Sequence, residues 1–292
     1  MKLTREEFQK YIYSYNNDET FYKTLYLQEK EHPETFHEYC LTLDRKKIYE
    51  HRLYVPELQT EAWYPYMKET DLFHDINGNI VLSKHYRYTP VFPHEHEFFE
   101  ILCLYDGTAH TAIQGIEHTL HTGDICIIPP HTTHSVGIFD DSVAFNILVR
   151  SSTFHSTFFQ SLTADSSLTQ FFAHVLYRKT VGNYLIFHSG NDAQIHDMLE
   201  NLYIEYLGHA KYSCTFLNSM LVMFWAMLLR FHENDIESIL TKDSTGNSVT
   251  EILNYLNRHY QSVTLREAAK HFGYSTSPVS YTHLTLPTNS LV

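Results

Sequence analysis

The sequence predicts an α+β chain: a β-sandwich or barrel flanked by helices and followed by a partial helix-turn-helix. Three observations carry that expectation. Short β-rich runs broken by turn signals fill the segment from Asn79 to Ser151. Helical spacing replaces them from Thr153 to about His232. Capping boxes and a glycine stop then stand near the C-terminal end.

The bulk properties suit such a chain. At 292 residues it has room for two modest domains, and 43% hydrophobic residues promise a packed core. The 21 His equal the Lys plus Arg total, which raises the prospect of a His cluster without locating one. A net charge of −13 argues against a surface that coats nucleic acid or an anionic membrane as a whole. A small local DNA-binding module stays open. Between Val249 and Pro278, Arg258, Arg266 and Lys270 outnumber Glu251 and Glu267, so the acid excess lies in residues 1–248. Cys40, Cys103, Cys126 and Cys214 form no C-x-x-C pair, and Met1 to Tyr15 is charged and amphipathic rather than a signal peptide. Reduced thiols in a cytoplasmic protein are the expectation. The most apolar run, Phe216 to Leu229, is interrupted by Asn218 and Ser219 and falls short of the roughly 20 residues of a membrane span. It reads as a buried helix.

In chain order, residues 1–78 read as a helical and irregular extension. Thr4 and Glu7 make a capping box, and Phe8, Tyr11, Ile12 and Tyr15 follow at helical spacing. Residues 79–151 hold the candidate strands Ile80–Tyr88, Phe98–Tyr105, Ala109–Ile113, Ile125–Ile128, His134–Ile138 and Val143–Val149. The breaks between them include Asp106-Gly107, Gln114-Gly115, Thr122-Gly123-Asp124 and Pro129-Pro130. Residues 152–232 read as helical. Ile195, Met198, Leu199, Leu202, Tyr203 and Tyr206 stripe one helix, and Tyr212 to Phe231 makes a second. The apolar faces of this pair need a partner, either the barrel or a second subunit. Residues 233–247 are polar and read as a linker.

Within the β-rich segment, His94, His96 and Glu100 share parity and would face one side of a strand. Gly107 follows after a six-residue gap. Downstream, Gly123 closes a turn, Pro129 ends a strand and His134 begins the next. This arrangement resembles the paired motifs of the cupins, H-x-H-x-x-x-E-(six)-G and G-(five)-P-x-G-x-x-H. The second motif departs at His131, where Gly is usual, and at Ile138, where Asn is usual. The resemblance implies a double-stranded β-helix with His94, His96, Glu100 and His134 in its interior. Three imidazoles and a carboxylate suit a divalent transition metal such as Fe, Mn, Ni or Zn. They equally suit a polar pocket that binds an organic effector without metal. His110, His118 and His121 are expected to be ordinary surface or barrel residues.

Residues 248–278 carry two capping boxes, Ser248 with Glu251 and Thr264 with Glu267, and Gly273 at a tight turn. Ile252, Tyr255 and Leu256 form an apolar stripe, while Ala268, Ala269 and Phe272 face inward. Small residues before a Gly turn let two helices cross closely, as in a helix-turn-helix. The segment Ser248 to Ser277 resembles the opening of the AraC-family DNA-binding domain. The order of barrel, helical pair, linker and fragment is that of the family. Residues 279–292 resemble a translated sequencing adapter, so a truncated DNA-binding unit with weak or no DNA affinity is expected.

The resemblance implies a DNA-binding transcription regulator rather than an enzyme. Its effector, a small molecule such as a sugar, would enter near His94, His96, Glu100 and His134, with Tyr86, Tyr88 and Phe98 offering aromatic faces. Arg266, Ser275, Thr276 and Ser277 would stand toward DNA. The helices of residues 195–232 would join two copies in a homodimer. The alternative is a metal-dependent cupin enzyme, a dioxygenase or isomerase.

Overall fold

A computed structural model describes residues 3–58, 66–73, 78–154, 184–238, 255, 259 and 263–273. Its strands are β1 (Tyr66–Met67), β2 (Ile80–Lys84), β3 (Glu95–His96), β4 (Phe99–Asp106), β5 (Thr108–Ile113), β6 (Ile116–His121), β7 (Asp124–Ile128), β8 (His134–Gly137), β9 (Val143–Val149), β10 (Leu185–His188) and β11 (Ile236–Ser238). Six of them form one sheet in the order β11-β10-β7-β4-β9-β2, and three form a second in the order β6-β5-β8. Every neighbouring pair in both sheets is antiparallel.

Alternation sorts the side chains of β4 between two cores. Leu102 and Leu104 point inward to meet Cys126 and Ile128 of the same sheet and Ala109, Ile113 and Val136 of the other. Phe99, Ile101, Cys103 and Tyr105 point outward against helices. Because β4 is buried on both faces, it reads as a continuous apolar run from Ile101 to Tyr105 after the buried Glu100. Truncating a leucine in the inner cluster would cost about 2–5 kcal/mol.

The helical cover comes from α1 (Arg5–Tyr13), α6 (Ala193–Gly208) and α7 (Ser213–His232). The capping box of Thr4 and Glu7 opens α1, whose Phe8 and Ile12 join the outer core. Ile195, Leu199 and Leu202 of α6 and Leu221, Phe224 and Trp225 of α7 enter the same cluster. The sheet is therefore a partner of the helical pair. The apolar run is longer than the sequence suggested. From Ser213 to Asp235 the helical stretch is long and apolar enough to cross a membrane by length and composition. Its Leu217, Leu221, Phe224, Trp225 and Leu228 form one buried face, while Phe216, Met223 and Phe231 are exposed.

Between α1 and the sheet lie α2 (Asn17–Glu31), α3 (Phe36–Leu41), α4 (Arg45–Glu50) and the short α5 (Glu69–Leu72). A buried ion triad ties this region to β2. Glu19 accepts from Lys84 Nζ at 2.7 Å and from Arg87 Nε at 2.8 Å, and the Arg87 guanidinium lies 3.7 Å from the Tyr15 ring centre.

Several boundaries differ from the sequence reading. Strand β2 stops at Lys84 rather than Tyr88, because the chain turns away and Tyr88 takes a left-handed φ of 63°. Strand β6 follows the Gln114-Gly115 turn, both of whose residues have positive φ, as two-residue hairpin loops require. Leu185–His188, placed in the helical region, is a strand between β7 and β11. Ile236–Ser238, placed in the linker, is the edge strand beside it, with Ile236 packed on the outer core. The barrel thus extends past the boundaries drawn at 151 and 232.

The fragment beyond is seen only in part. Helix α8 (Leu265–Phe272) begins with the capping box of Thr264 and Glu267 and ends at Gly273 with φ 73°. Tyr255 stacks on His271 at 4.1 Å and meets Phe272 edge-on at 5.3 Å. Ala268 is buried, whereas Ala269 and Phe272 are partly so. The first capping box at Ser248, Ile252 and Leu256, the residues Ser275, Thr276 and Ser277, and the tail 279–292 lie outside the described residues.

Candidate ligand-binding site

Four chain segments bring the predicted quartet together. The reading of one strand carrying His94, His96 and Glu100 needs correction, because the chain is broken between β3 and β4. His94 pairs with His134 across an isolated antiparallel bridge, with backbone hydrogen bonds of 2.8 and 3.0 Å. His96 sits on β3, which runs parallel to β1. Glu100 opens β4 on the inward parity of Leu102 and Leu104. All four side chains are buried.

Glu100 is the centre. Its Oε2 lies 3.1 Å from His96 Nε2 and 3.4 Å from His134 Nε2. Neither approach meets hydrogen-bond geometry, and His96 Nδ1, His96 Nε2 and His134 Nε2 are buried without a hydrogen-bond partner among the described residues. Two rings are held from behind. His134 Nδ1 lies 2.9 Å from the Thr132 carbonyl and His94 Nδ1 lies 3.3 Å from that of Phe92. A ring that donates through Nδ1 to a carbonyl carries its lone pair on Nε2. For His134 that lone pair faces the Glu100 carboxylate, an arrangement that calls for a proton or a cation between them.

The charge states agree with this picture. Burial would raise the Glu100 carboxyl, but His134 and His96 outweigh it and hold it well below the ordinary range. Burial pushes the His94 imidazole down to about 3, and His134 beside it adds to that. Burial likewise lowers His96, against the pull of Glu100. A neutral His94 imidazole beside an ionised Glu100 carboxylate is the protonation state that a metal ligand set needs. The ligand atoms of His94, Glu100 and His134 all lie within 4.8 Å of one another. His96 stands beside them, stacked on Phe98 at 4.3 Å.

The aromatic residues expected around the pocket separate. Phe98 is fully buried between His96 and Phe73. Tyr88 packs away from the quartet, with Tyr26 at 5.4 Å and the cluster of α2 and α3. Tyr86 is 38% exposed and lines a different cavity. Arg266 is exposed on α8. Of the histidines set aside, His118 is within 2.5 Å of the Tyr184 hydroxyl and 3.6 Å of Glu237, so it links β6 to β11.

Two neighbours escaped the sequence reading. His85 follows β2 on the parity of Ser83, and Asn146 pairs with Ser83 and Leu102 across β9. His85 Nε2 and Asn146 Oδ1 are both buried without a partner among the described residues. Burial lowers the His85 imidazole, with Glu100 opposing and His134 adding to that shift. The alternation of β2 marks Ser83 and His85 as facing away from the helices, and this signal was available in the sequence.

The motif glycines hold the turns around the site. Gly123 has φ 89°, and a Cβ there would collide with the Gly190 backbone. His131, standing where the motif has Gly, also adopts a left-handed φ of 60°. It donates its N–H to the His96 carbonyl at 2.8 Å and stacks on Tyr66.

Residues 78–219 match the family of AraC-like ligand binding domains, which carries the domain through α6 and into α7. No curated protein matches the chain. Among solved structures, the chain is similar to apo ToxT from Vibrio cholerae, 11% identical over 67% of this chain and 70% of that one, with a TM-score of 0.38. It is also similar to KdgF from Halomonas sp., 23% identical over 24% of this chain and 69% of that one, with a TM-score of 0.23. A cupin protein from Bacteroides fragilis is 23% identical over 25% and 67% of the respective chains, with a TM-score of 0.22.

Proposed function

We propose that this chain is a DNA-binding transcription regulator of AraC type that senses a small molecule in its barrel. The match of residues 78–219 to the AraC-like ligand binding domain carries the proposal. The capped helix α8 with its left-handed Gly273 supports a helix-turn-helix role for the C-terminal segment. Arg266 would approach the DNA backbone, where an arginine contributes salt-dependent affinity. The effector would contact His94, His96, Glu100 and His134, beside the Phe98 ring. The nitrogens of His96 and His134 that lack a partner among the described residues are the binding capacity that an unliganded pocket keeps in reserve.

Effector binding would act by favouring one arrangement of barrel, helices and DNA-binding segment over another. The outer face of α7 would join two copies, since Phe216 is 61% and Met223 52% exposed there. The full chain fused to a monomeric heterologous DNA-binding domain tests this reading in a reporter that responds only to dimers. Repression by the fusion is expected. A fusion that is expressed and folded yet silent would remove the regulator assignment.

The three ligand atoms within 4.8 Å of one another favour one second reading, a metal-dependent cupin enzyme. The donor set fits a divalent ion: His94, Glu100 and His134 would hold it, with His96 alongside. A bound ion would supply Lewis acidity. The residues themselves would exclude water and keep one ionised carboxylate in an apolar barrel. Stoichiometric metal in the purified protein, lost in His94→Ala together with a measurable turnover, would establish that reading instead.

A further inference from the structure

A cavity of about 600 Å³ lies on the N-terminal extension, outside the matched domain of residues 78–219. Among the described residues, its wall comes from α4 and the segment that follows it. Ile48, Leu53 and Leu58 supply an apolar lining that continues into the buried cluster of Tyr22, Phe36 and Cys40. Arg45, Tyr49 and Arg52 also line it, and all three are exposed. The size is that of a pocket for one small organic molecule.

Two local preferences are overridden at this cavity. Helix α4 ends in a Schellman turn, in which the Arg52 N–H donates to the Tyr49 carbonyl at 3.1 Å and the Leu53 N–H to that of Ile48 at 2.9 Å. The residue at the left-handed position of this motif is usually Gly. Here it is Arg52, at φ 54°, a conformation that strains a side chain with a Cβ. In addition, Arg45, Lys46 and Lys47 stand side by side in a chain of net charge −13. Of these three, Lys46 alone pairs with a carboxylate among the described residues, Glu50 at 3.7 Å. Strain and like-charge crowding kept at one place are the mark of a functional site.

The groups left over define a ligand. Neither the Arg45 nor the Arg52 guanidinium has a hydrogen bond or ion pair among the described residues. Planar guanidinium groups take phosphate or carboxylate oxygens bidentately. The flanking lysines favour the greater charge of a phosphate monoester. Glu50, the carboxylate on this wall, is already met by Lys46. The Tyr49 ring is 85% exposed and has no ring partner among the described residues. Such a ring offers a stacking face to a flat base.

We propose that this cavity binds a nucleotide, with its phosphate on Arg45 and Arg52 and its base against Tyr49 and the apolar lining. Two sources supply that chemistry, a free mononucleotide and the phosphorylated end of a nucleic-acid strand. The site is separate from the quartet and shares no residue with it.

The test is a calorimetric titration of the full chain with AMP and with a 5′-phosphorylated oligo(dA) hexamer. Saturable binding of at least one is expected. Comparable binding of both identifies the free nucleotide as the ligand, and a hexamer that binds more than about tenfold tighter identifies the strand end. Adenosine and inorganic phosphate, each lacking half of the contact, should bind at least about tenfold more weakly than the nucleotide probe. Arg45→Gln and Arg52→Gly should each weaken that probe by about tenfold, the scale of one charge-assisted hydrogen bond. Glycine suits the left-handed turn, so Arg52→Gly should keep or raise the urea midpoint, and its lost binding is then not unfolding. No saturable binding of either probe would overturn the proposal. So would phosphate that binds as well as the nucleotide, or binding lost in Glu100→Gln but kept in both arginine variants.

Discussion

His131 holds a left-handed backbone at φ 60°, which costs a side chain with a Cβ about 1–2 kcal/mol. Its stacking on Tyr66 and the backbone bond to His96 offset that cost. His131→Gly should therefore change the unfolding free energy by no more than about 1 kcal/mol. His131→Val, with a β-branched side chain in the same conformation, should lose more than about 2 kcal/mol. Paired urea titrations measure both. Glu19 gives a second expectation. Glu19→Gln leaves Lys84 and Arg87 buried without a counter-charge and should cost about 3–5 kcal/mol. Burial would raise the Glu19 carboxyl, but Arg87 and Lys84 together lower it beneath the ordinary 4.5. A depressed folded-state value stabilises the protein above the unfolded value, and that stabilisation is lost as pH falls through the folded one. The wild type should thus weaken below about pH 4.5, with a flatter acid limb in Glu19→Gln. At this scale the sequence displayed the quartet, because its spacing is local. The alternation of β2 displayed His85, but its convergence with Asn146 was not legible, because that depends on the register of β2 against β9.

Among the elements, helix α7 has two apolar faces. Leu217, Leu221, Phe224 and Trp225 are buried, while Phe216 and Met223 stand on the outer side. Replacing Phe216 and Met223 together by Glu should leave folding stability within about 1 kcal/mol, as for exposed sites generally. The same change should convert a dimer to a monomer in light scattering. An unchanged mass would remove α7 from the dimer interface. Strands bounded by Gly or Pro turns were legible, and Val143–Val149 was read to the residue. Strand β6 was not, since its burial does not alternate in the usual way. Strand β10 is a four-residue apolar run inside a helical window, where period cannot separate strand from helix. Strand β11 is a short polar edge, the form that protects a sheet from further pairing and that composition reads as a linker.

For the whole molecule, the two sheets enclose an apolar core at one level and an unsatisfied polar cluster at another. A core built for stability alone would not keep three imidazoles against one carboxylate, with ring nitrogens left unpaired. Local rules are broken in this way at binding sites, where stability is given up for function. The central claim is that the quartet exists to bind a ligand and not to hold the barrel together. The direct test is the unfolding free energy, in chelator, of the triple replacement His96→Leu, Glu100→Leu and His134→Leu. Apolar residues of similar volume remove the unsatisfied ring nitrogens of the quartet at once, so a value equal to or above that of the wild type is expected. A loss of about 3 kcal/mol or more would show that the cluster is a structural network, and would contradict the account.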